Sequence, residues 1–161
     1  MPSPRPLVIV GAGGFGREVA ALVEAQNATT SSWEIRGFVD DDASLHHQSV
    51  MGYPVLGNVR WLSEKKDESY VIAIGDGETR HNIAQLLGES SLSTATLTHP
   101  SVSIHRTTDL GAGSILCKGA APTVNLQIGS HVVIDQACTL GHDSTLESFV
   151  TLHPGANISG N

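Results

Sequence analysis

The stretch that decides the fold runs from Ile104 to Asn161 and reads IHRTTDLGAGSILCKGAAPTVNLQIGSHVVIDQACTLGHDSTLESFVTLHPGANISGN. A large aliphatic residue, once replaced by proline, recurs every six positions, and a small or apolar residue lies two places before it. The recurring positions are Ile104, Leu110, Leu116, Pro122, Ile128, Ile134, Leu140, Leu146, Leu152 and Ile158. This period matches neither a helix face nor strand alternation, and it predicts a parallel β-helix with one hexapeptide per side. With three hexapeptides to a coil, the stretch holds about three coils.

The composition limits the possible partners. The chain has 161 residues and a formal net charge of -7, which argues against nucleic acid or an anionic membrane as a partner. Neither a secretion signal nor a membrane-spanning segment is apparent, so we expect a cytoplasmic protein without membrane insertion.

Cys117 and Cys138 fall within the repeats and predict buried thiols rather than a disulfide. The histidines do not cluster with them at ligand spacing, so no metal site is expected.

The chain opens with a strand, a glycine turn and a helix. Leu7 to Val10 is an apolar run, and Arg17 to Gln26 has helical spacing. The turn between them, GAGGFG, supplies four candidate substrate-binding residues: Gly11, Gly13, Gly14 and Gly16. Such a turn allows a close backbone approach and directs the amides at the start of the helix toward an anion. The pattern predicts phosphate or nucleotide binding; the alternative is a purely structural turn.

A second strand, Trp33 to Val39, runs into Asp40, Asp41 and Asp42. Acidic residues at the end of the second strand contact a ribose in Rossmann-like units, so Asp40 and Asp41 are candidates for that contact. The alternative is a solvated acidic turn. Only residues 1–98 precede the repeats, enough for three or four strands, so a mononucleotide fits better than a dinucleotide.

The rest of the first domain predicts a short helix capped by Asn58, and then a strand from Tyr70 to Ile74. A helix from Glu78 to Leu87 follows, with its inward positions at Ile83, Ala84, Leu86 and Leu87. Gly75 and Arg80 lie at the carboxyl end of the strand, where open α/β sheets bind ligands. Arg80 is a candidate phosphate contact, with an exposed helix arginine as the alternative. Thr94 to Thr98 predicts the last strand before the repeats.

In order and spacing, the motifs VGAGGFGREVA, FVDDD, AIGDGETR and THPSV, followed by hexapeptide repeats, resemble those of the bacterial nucleotide-sugar acetyltransferases. That family includes UDP-4-amino-sugar N-acetyltransferases and sialic acid O-acetyltransferases. The resemblance implies a Rossmann-like α/β domain over 1–98 that binds a nucleotide sugar. It implies a left-handed β-helix over 99–161, a homotrimer, and acetyl-CoA bound along the solenoid between neighbouring subunits.

The catalytic pair lies just after one repeat position. His142 and Asp143 follow Leu140 and Gly141, and this spacing points the histidine outward near a corner. The resemblance implies that His142 is the general base and Asp143 its supporting carboxylate. Imidazole suits the task, since with an ordinary pKa of about 6.5 it accepts a proton near neutral pH.

The chain departs from the family pattern in three places. Relatives often carry asparagine where this chain has Asp135, and they carry histidine at the position of Thr151, whereas His153 lies two places further on. We expect Thr151 and His153 at the acetyl-CoA site. Relatives also continue for several more coils, so the β-helix looks truncated at its C-terminus. We therefore expect these residues alone to bind nucleotide better than they turn over acetyl-CoA.

The predicted function is transfer of an acetyl group from acetyl-CoA to the amino group of a nucleotide-linked sugar. Three alternatives stay open: O-acetylation of a sialic-acid-type sugar, a non-catalytic trimeric scaffold that binds nucleotide sugars, and an NAD(P)-binding reductase domain fused to a structural solenoid. The short first domain argues against the last of these.

Overall fold

The computed structural model describes residues 3–160, which form two compact units. The first ends at Ala95 and the second begins at Thr96, slightly before the boundary predicted after residue 98. Within the described residues, no helix combines the length and apolarity needed to cross a membrane.

A six-stranded sheet forms the centre of the first unit. Its strands are β1 (Arg5–Val10), β2 (Trp33–Val39), β3 (Ser49–Val50), β4 (Tyr53–Gly57), β5 (Ser69–Ile72) and β6 (Ser93–Thr94). Their order is β3-β4-β2-β1-β5-β6, and every neighbouring pair is parallel except β3 with β4. The predicted three or four strands were too few, because β3 and β6 are two residues long and show no hydrophobic pattern.

Three helices and one 3-10 turn connect these strands: α1 (Gly14–Thr30), α2 (Val59–Ser63), α3 (Gly77–Gly88) and the turn Ala43–Leu45. α2 and α3 begin at side-chain caps, since Asn58 accepts a hydrogen bond from the Trp61 amide and Asp76 accepts one from the Thr79 amide. Of the positions predicted to point inward on α3, Leu87 is fully buried, as predicted, whereas the prediction for Leu86 was wrong, because that residue is 40% exposed.

Hydrophobic side chains of the sheet, α2 and α3 pack into one core. From the strands it includes Val8, Val10, Val39, Tyr70 and Ile72, and from the helices Val59, Leu62 and Leu87. The burial of these side chains supplies the main stabilisation of this face of the sheet.

The second unit is a three-sided parallel coil of two-residue strands. These are β7 (Leu97–Thr98), β8 (Asp109–Leu110), β9 (Ile115–Leu116), β10 (Ala121–Pro122), β11 (Gln127–Ile128), β12 (Val133–Ile134), β13 (Thr139–Leu140), β14 (Thr145–Leu146), β15 (Thr151–Leu152) and β16 (Asn157–Ile158). They stack as three parallel sheets, in the orders β8-β11-β14, β10-β13-β16 and β7-β9-β12-β15. Ile128 pairs with Leu110 and Leu146, three hexapeptides away on either side, so the predicted coil of three hexapeptides is confirmed.

The solenoid begins earlier than predicted. Leu97 pairs with Ile115 and Thr98 with Leu116, so β7 belongs to the coil and not to the first domain. The assignment of Thr94 to Thr98 as one last strand of that domain was wrong. The sequence did not reveal this earlier start, because the repeat position six residues before Ile104 is Thr98, which has no aliphatic side chain.

The repeat positions and the small residues before them build the interior of the solenoid. Leu116, Ile134 and Leu140 are at most 1% exposed, whereas Ile104 and Ile158 are only partly buried. Ser114, Val132 and Cys138, from the column of smaller residues, are fully buried. Each repeat is therefore covered by its neighbours along the coil.

A left-handed backbone conformation recurs once per hexapeptide at the corners. It occurs at Gly113, Gly119, Asn125, His131, Ala137, Asp143, Phe149 and Gly155. Residues other than glycine adopt it at a cost, which is smallest for Asn and Asp. Gly129 is required for a different reason, close stacking of the coils, because a Cβ there would collide with the Ser148 amide on the next coil.

Candidate active site

The candidate catalytic pair lies at the corner between β13 and β14. The Nδ1 atom of His142 is 2.7 Å from Oδ2 of Asp143, and the side chains are 60% and 44% exposed. Because an ionised carboxylate only accepts hydrogen bonds, Nδ1 carries the proton and Nε2 of the neutral ring offers a lone pair. The structure thus shows the outward imidazole and the contact with Asp143 that sequence spacing left undetermined.

Asp143 is held from the preceding coil as well. Asn125 donates from Nδ2 to its Oδ1 at 3.1 Å, so each carboxylate oxygen has its own donor. The hydrogen bonds from His142 and then from Asn125 lower the pKa of Asp143, while desolvation acts against them. The carboxylate is therefore ionised at neutral pH.

Gly160, on the following coil, leaves room for the imidazole. A Cβ at this position would lie 2.8 Å from Nε2 of His142. Sequence reasoning missed both Asn125 and Gly160. The signal was available in the repeat, since Asn125 lies one coil before Asp143 and Gly160 one coil after His142.

The glycine turn in the first unit combines two different roles. Gly11 has φ 103°, and a Cβ on it would lie 2.8 Å from the Ala73 carbonyl oxygen; one on Gly16 would collide with the Gly11 carbonyl oxygen. These two glycines allow close packing of strands and helix. Gly13 and Gly14 are exposed, and nearly open space surrounds the positions of their missing side chains. Only this second pair is open to a ligand.

The three aspartates after β2 fasten the backbone around them. Asp40 accepts hydrogen bonds from the Ala12 and Asp42 amides, both at 2.9 Å, and Asp41 accepts one from the Val59 amide at 3.0 Å. Asp42 accepts from the amide and the hydroxyl of Ser44, and these bonds lower its pKa. Each carboxylate organises a loop, and Asp41 and Asp42 are also exposed, so the predicted ribose contact and the alternative of a solvated acidic turn both stay open. Asp40 also ties the end of β2 to the glycine turn.

Arg80 is buried, with 1% exposure, and its Nη1 donates to the carbonyls of Ile74 and Gly75 at 2.8 and 2.9 Å. Burial lowers the pKa of Arg80, and Asp76 partly offsets this. The alternative of an exposed helix arginine is therefore wrong. Arg80 holds the loop at the exposed Gly75, and its contact with a phosphate stays a prediction.

An exposed cation that the sequence reading left out lies beside the glycine turn. Arg17 is on the first turn of α1, and its Nη2 lies 3.9 Å from the position that a Cβ on Gly14 would take. The sequence could have identified Arg17, because it is the first basic residue after GAGGFG. Of the two arginines near this edge of the sheet, Arg17 is the accessible one.

The remaining candidates lie apart from the His142 corner. Thr151 is in β15, and the exposed His153 follows that strand, so the side of the coil that contains β14 separates both residues from His142.

Cys117 and Cys138 are buried thiols that form no disulfide, as predicted. Burial raises the pKa of the Cys138 thiol. Across residues 3–160, His, Cys, Asp and Glu side chains form no group of three that is placed to hold a metal ion.

A Rossmann-like unit followed by a three-sided β-helix, with an exposed His–Asp pair at one corner, defines the class of hexapeptide-repeat acyltransferases. Residues 6–87 match the family described as the PglD N-terminal domain. The chain is also 27% identical over 154 residues to GDP-perosamine N-acetyltransferase of Escherichia coli O157:H7, an alignment that covers 94% of this chain and 69% of that protein.

Two solved structures match nearly the whole chain. The acetyltransferase domain of PglB from Neisseria gonorrhoeae FA1090, in complex with acetyl coenzyme A, has a TM-score of 0.86 and 28% identity, covering 99% of this chain and 75% of that one. WeeI from Acinetobacter baumannii AYE has a TM-score of 0.85 and 30% identity, covering 98% and 73%. The chain belongs to the hexapeptide-repeat nucleotide-sugar acetyltransferases that carry the PglD N-terminal domain. The predicted family and the predicted fold, including the left-handed β-helix, are confirmed.

Proposed function

We propose that this protein transfers an acetyl group from acetyl-CoA to the amino group of a nucleotide-linked amino sugar. The observation that carries the proposal is the hydrogen bond of 2.7 Å between His142 Nδ1 and Asp143 Oδ2, which directs a basic Nε2 outward. The similarity to GDP-perosamine N-acetyltransferase, whose name describes this reaction on one such sugar, supports it.

The reaction needs no covalent enzyme intermediate. The amine nitrogen attacks the thioester carbonyl carbon while Nε2 of His142 takes a proton from that nitrogen. The C–S bond then breaks, and the CoA thiolate leaves and receives the proton from the imidazolium. The products are an amide and free CoA thiol, and the imidazole returns to its starting form.

Asp143 stabilises the imidazolium that forms in this step. Its lowered pKa keeps it negatively charged at neutral pH, and its Oδ2 already contacts Nδ1. A neighbouring carboxylate that fixes the tautomer and the ring orientation is the arrangement used by histidine bases in other acyl transfers.

We assign nucleotide binding to the first unit. The exposed backbone of Gly13 and Gly14 at the start of α1 suits a phosphate, and the adjacent Arg17 suits its charge. Asp40 and Asp41 keep lone pairs for a ribose beyond those that they use on the backbone. Gly75 borders the same edge of the sheet.

We assign acetyl-CoA to the solenoid, with Thr151 and His153 as candidate contacts. The matched Neisseria domain was solved with acetyl coenzyme A, which supports the same co-substrate in this protein. An imidazole with a side chain that is 60% exposed is a poor site for a reaction that benefits from excluding water, so we propose that a neighbouring protomer of a homotrimer covers it. A cytoplasmic location stays a prediction.

The test is to incubate the full-length protein with acetyl-CoA and a panel of UDP-, GDP- and dTDP-linked amino sugars, and to follow the release of free thiol. We expect release with at least one amino sugar and none with the matching hydroxy sugar. Release with the hydroxy sugar instead would favour O-acetylation. Binding of a nucleotide sugar without release would favour a scaffold and refute the proposal.

A further inference from the structure

The corner that carries the candidate base is part of a ladder of hydrogen bonds along the solenoid. Thr107, Asn125 and Asp143 occupy equivalent places on three successive coils. The Asn125 amide donates to Oγ1 of Thr107 at 3.0 Å, and Asn125 Nδ2 donates to Oδ1 of Asp143 at 3.1 Å. Asn125 is therefore fixed through its backbone from one side and fixes a carboxylate on the other.

We propose that Asn125 is a positioning residue for the reaction, holding the Asp143 carboxylate so that Oδ2 faces Nδ1 of His142. This inference rests on the proposed function. In this proposal Asn125 does not act on the substrate directly but through Asp143, to which its side chain donates.

The need for such a residue follows from exposure. The Asp143 side chain is 44% exposed, and the terminal torsion of an aspartate is broad, so solvent competes for both oxygens. With Oδ1 held by Asn125 and Oδ2 by His142, rotation of the carboxylate breaks two hydrogen bonds instead of one.

The backbone geometry explains why asparagine suits the place. Asn125 has φ 57° and Asp143 has φ 62°, and Asn and Asp tolerate this left-handed conformation better than other residues with side chains. Asparagine also provides a neutral donor. An aspartate at 125 would offer no donor and would place a second negative charge against Asp143.

The first experiment is a double-mutant cycle with glycine, which accepts both corner conformations. In the wild-type background, Asn125→Gly is expected to lower kcat about tenfold, the scale of one hydrogen bond to a charged group. In the Asp143→Gly background the same change is expected to have no further effect. An equal loss in both backgrounds, or no loss in the first, would overturn the proposal.

A second readout does not depend on activity. Nitrogen-15 NMR of the His142 ring is expected to show protonation on Nδ1 in the wild type and a mixture of tautomers in Asn125→Gly. An unchanged ring spectrum in that variant would contradict the proposal. If His142→Ala keeps full activity, the proposed function fails, whereas an essential His142 with an unaffected Asn125→Gly variant defeats only this inference.

The pH profile adds a test of sign. Asn125→Asp places a second carboxylate beside Asp143. The added negative charge favours the protonated form of the His142–Asp143 pair, so the acidic limb of the kcat/KM profile is expected to move to higher pH. The control is Gln127→Glu, which adds the same charge at an exposed position of the same coil. Equal shifts in both variants would show a general charge effect and count against the proposal.

Discussion

The two polar clusters of this protein use their side chains in opposite ways. In the first unit, Asp40, Asp41 and Arg80 hydrogen-bond to nearby backbone groups. Much of their hydrogen-bonding capacity is therefore used to hold loops in place. At the solenoid corner, His142 and Asp143 bond to each other, and the imidazole remains exposed. In the solenoid the strands hydrogen-bond from one coil to the next, and corner side chains such as Thr107 add contacts to the backbone, whereas the His142 imidazole is left available for chemistry.

The difference has a physical origin. Each solenoid strand hydrogen-bonds to the strands one coil away, as Gln127 and Ile128 do with Asp109 and Leu110. The irregular loops of an α/β unit have no such regular partners, so side chains satisfy the backbone groups there. The predictions below test this division, beginning with the largest expected effect.

Close stacking of the coils is expected to depend on glycines that face the next coil, such as Gly129. Gly129→Ala places a Cβ against the Ser148 amide, and we expect a loss of at least about 3 kcal/mol in the free energy of unfolding. The measurement is urea unfolding followed by circular dichroism. Gly155→Ala is the matched control, because it has the left-handed φ of 74° but no atom within 4 Å, so only about 1–2 kcal/mol should be lost. Equal losses in the two variants would show that stacking is not the constraint.

The two arginines of the first unit are expected to behave differently. Arg80→Met removes the donor to the carbonyls of Ile74 and Gly75 and the buried charge that holds this loop, so we expect a loss of about 2 kcal/mol in unfolding free energy. Arg17→Met should change stability by less than about 0.5 kcal/mol and weaken nucleotide-sugar binding about tenfold.

Tryptophan fluorescence reports the stability of this unit, since Trp33 and Trp61 are the only tryptophans and both lie in it. Titration calorimetry reports binding. If Arg80→Met weakens binding while stability is kept, the loop-holding role of Arg80 is wrong and its predicted phosphate contact gains support.

The smallest effect concerns the pH dependence of stability. Because the folded-state pKa of Asp143 is lowered, its contribution to stability is present above the ordinary value of 3.8 and disappears as the pH falls through the folded pKa. The stability difference between wild type and Asp143→Asn should therefore be constant near neutrality and shrink below about pH 4. Unfolding titrations at several pH values measure it. A difference that grows toward low pH would contradict the assigned hydrogen bonds.

The sequence predicted most about the region with a fixed period. Once the six-residue repeat is seen, the place of His142 on an outward corner follows by counting, and the structure agrees. Counting along one coil missed Asn125 and Gly160, which lie one coil away from the catalytic pair. They become visible only when the sequence is aligned coil by coil, with three hexapeptides to each coil.

In the first unit the strand, turn and helix were predicted, but the use of each polar side chain was not. The burial of Arg80 and the role of Asp40 depend on how loops fold back on their own backbone. No spacing in the sequence encodes that. Leu86 was wrongly predicted to face inward on α3. The helix has more hydrophobic residues than the sheet covers, so hydrophobicity alone did not show which of them is exposed.

The most direct measurement of the central claim compares His142→Ala with the wild type for both acetyl transfer and nucleotide-sugar binding. We predict that the variant lowers kcat by about 10²–10⁴, the usual contribution of a general base, while the dissociation constant of the nucleotide sugar stays the same. Transfer at the wild-type rate in the variant would contradict the assignment of His142, since the corner would then carry no catalytic base.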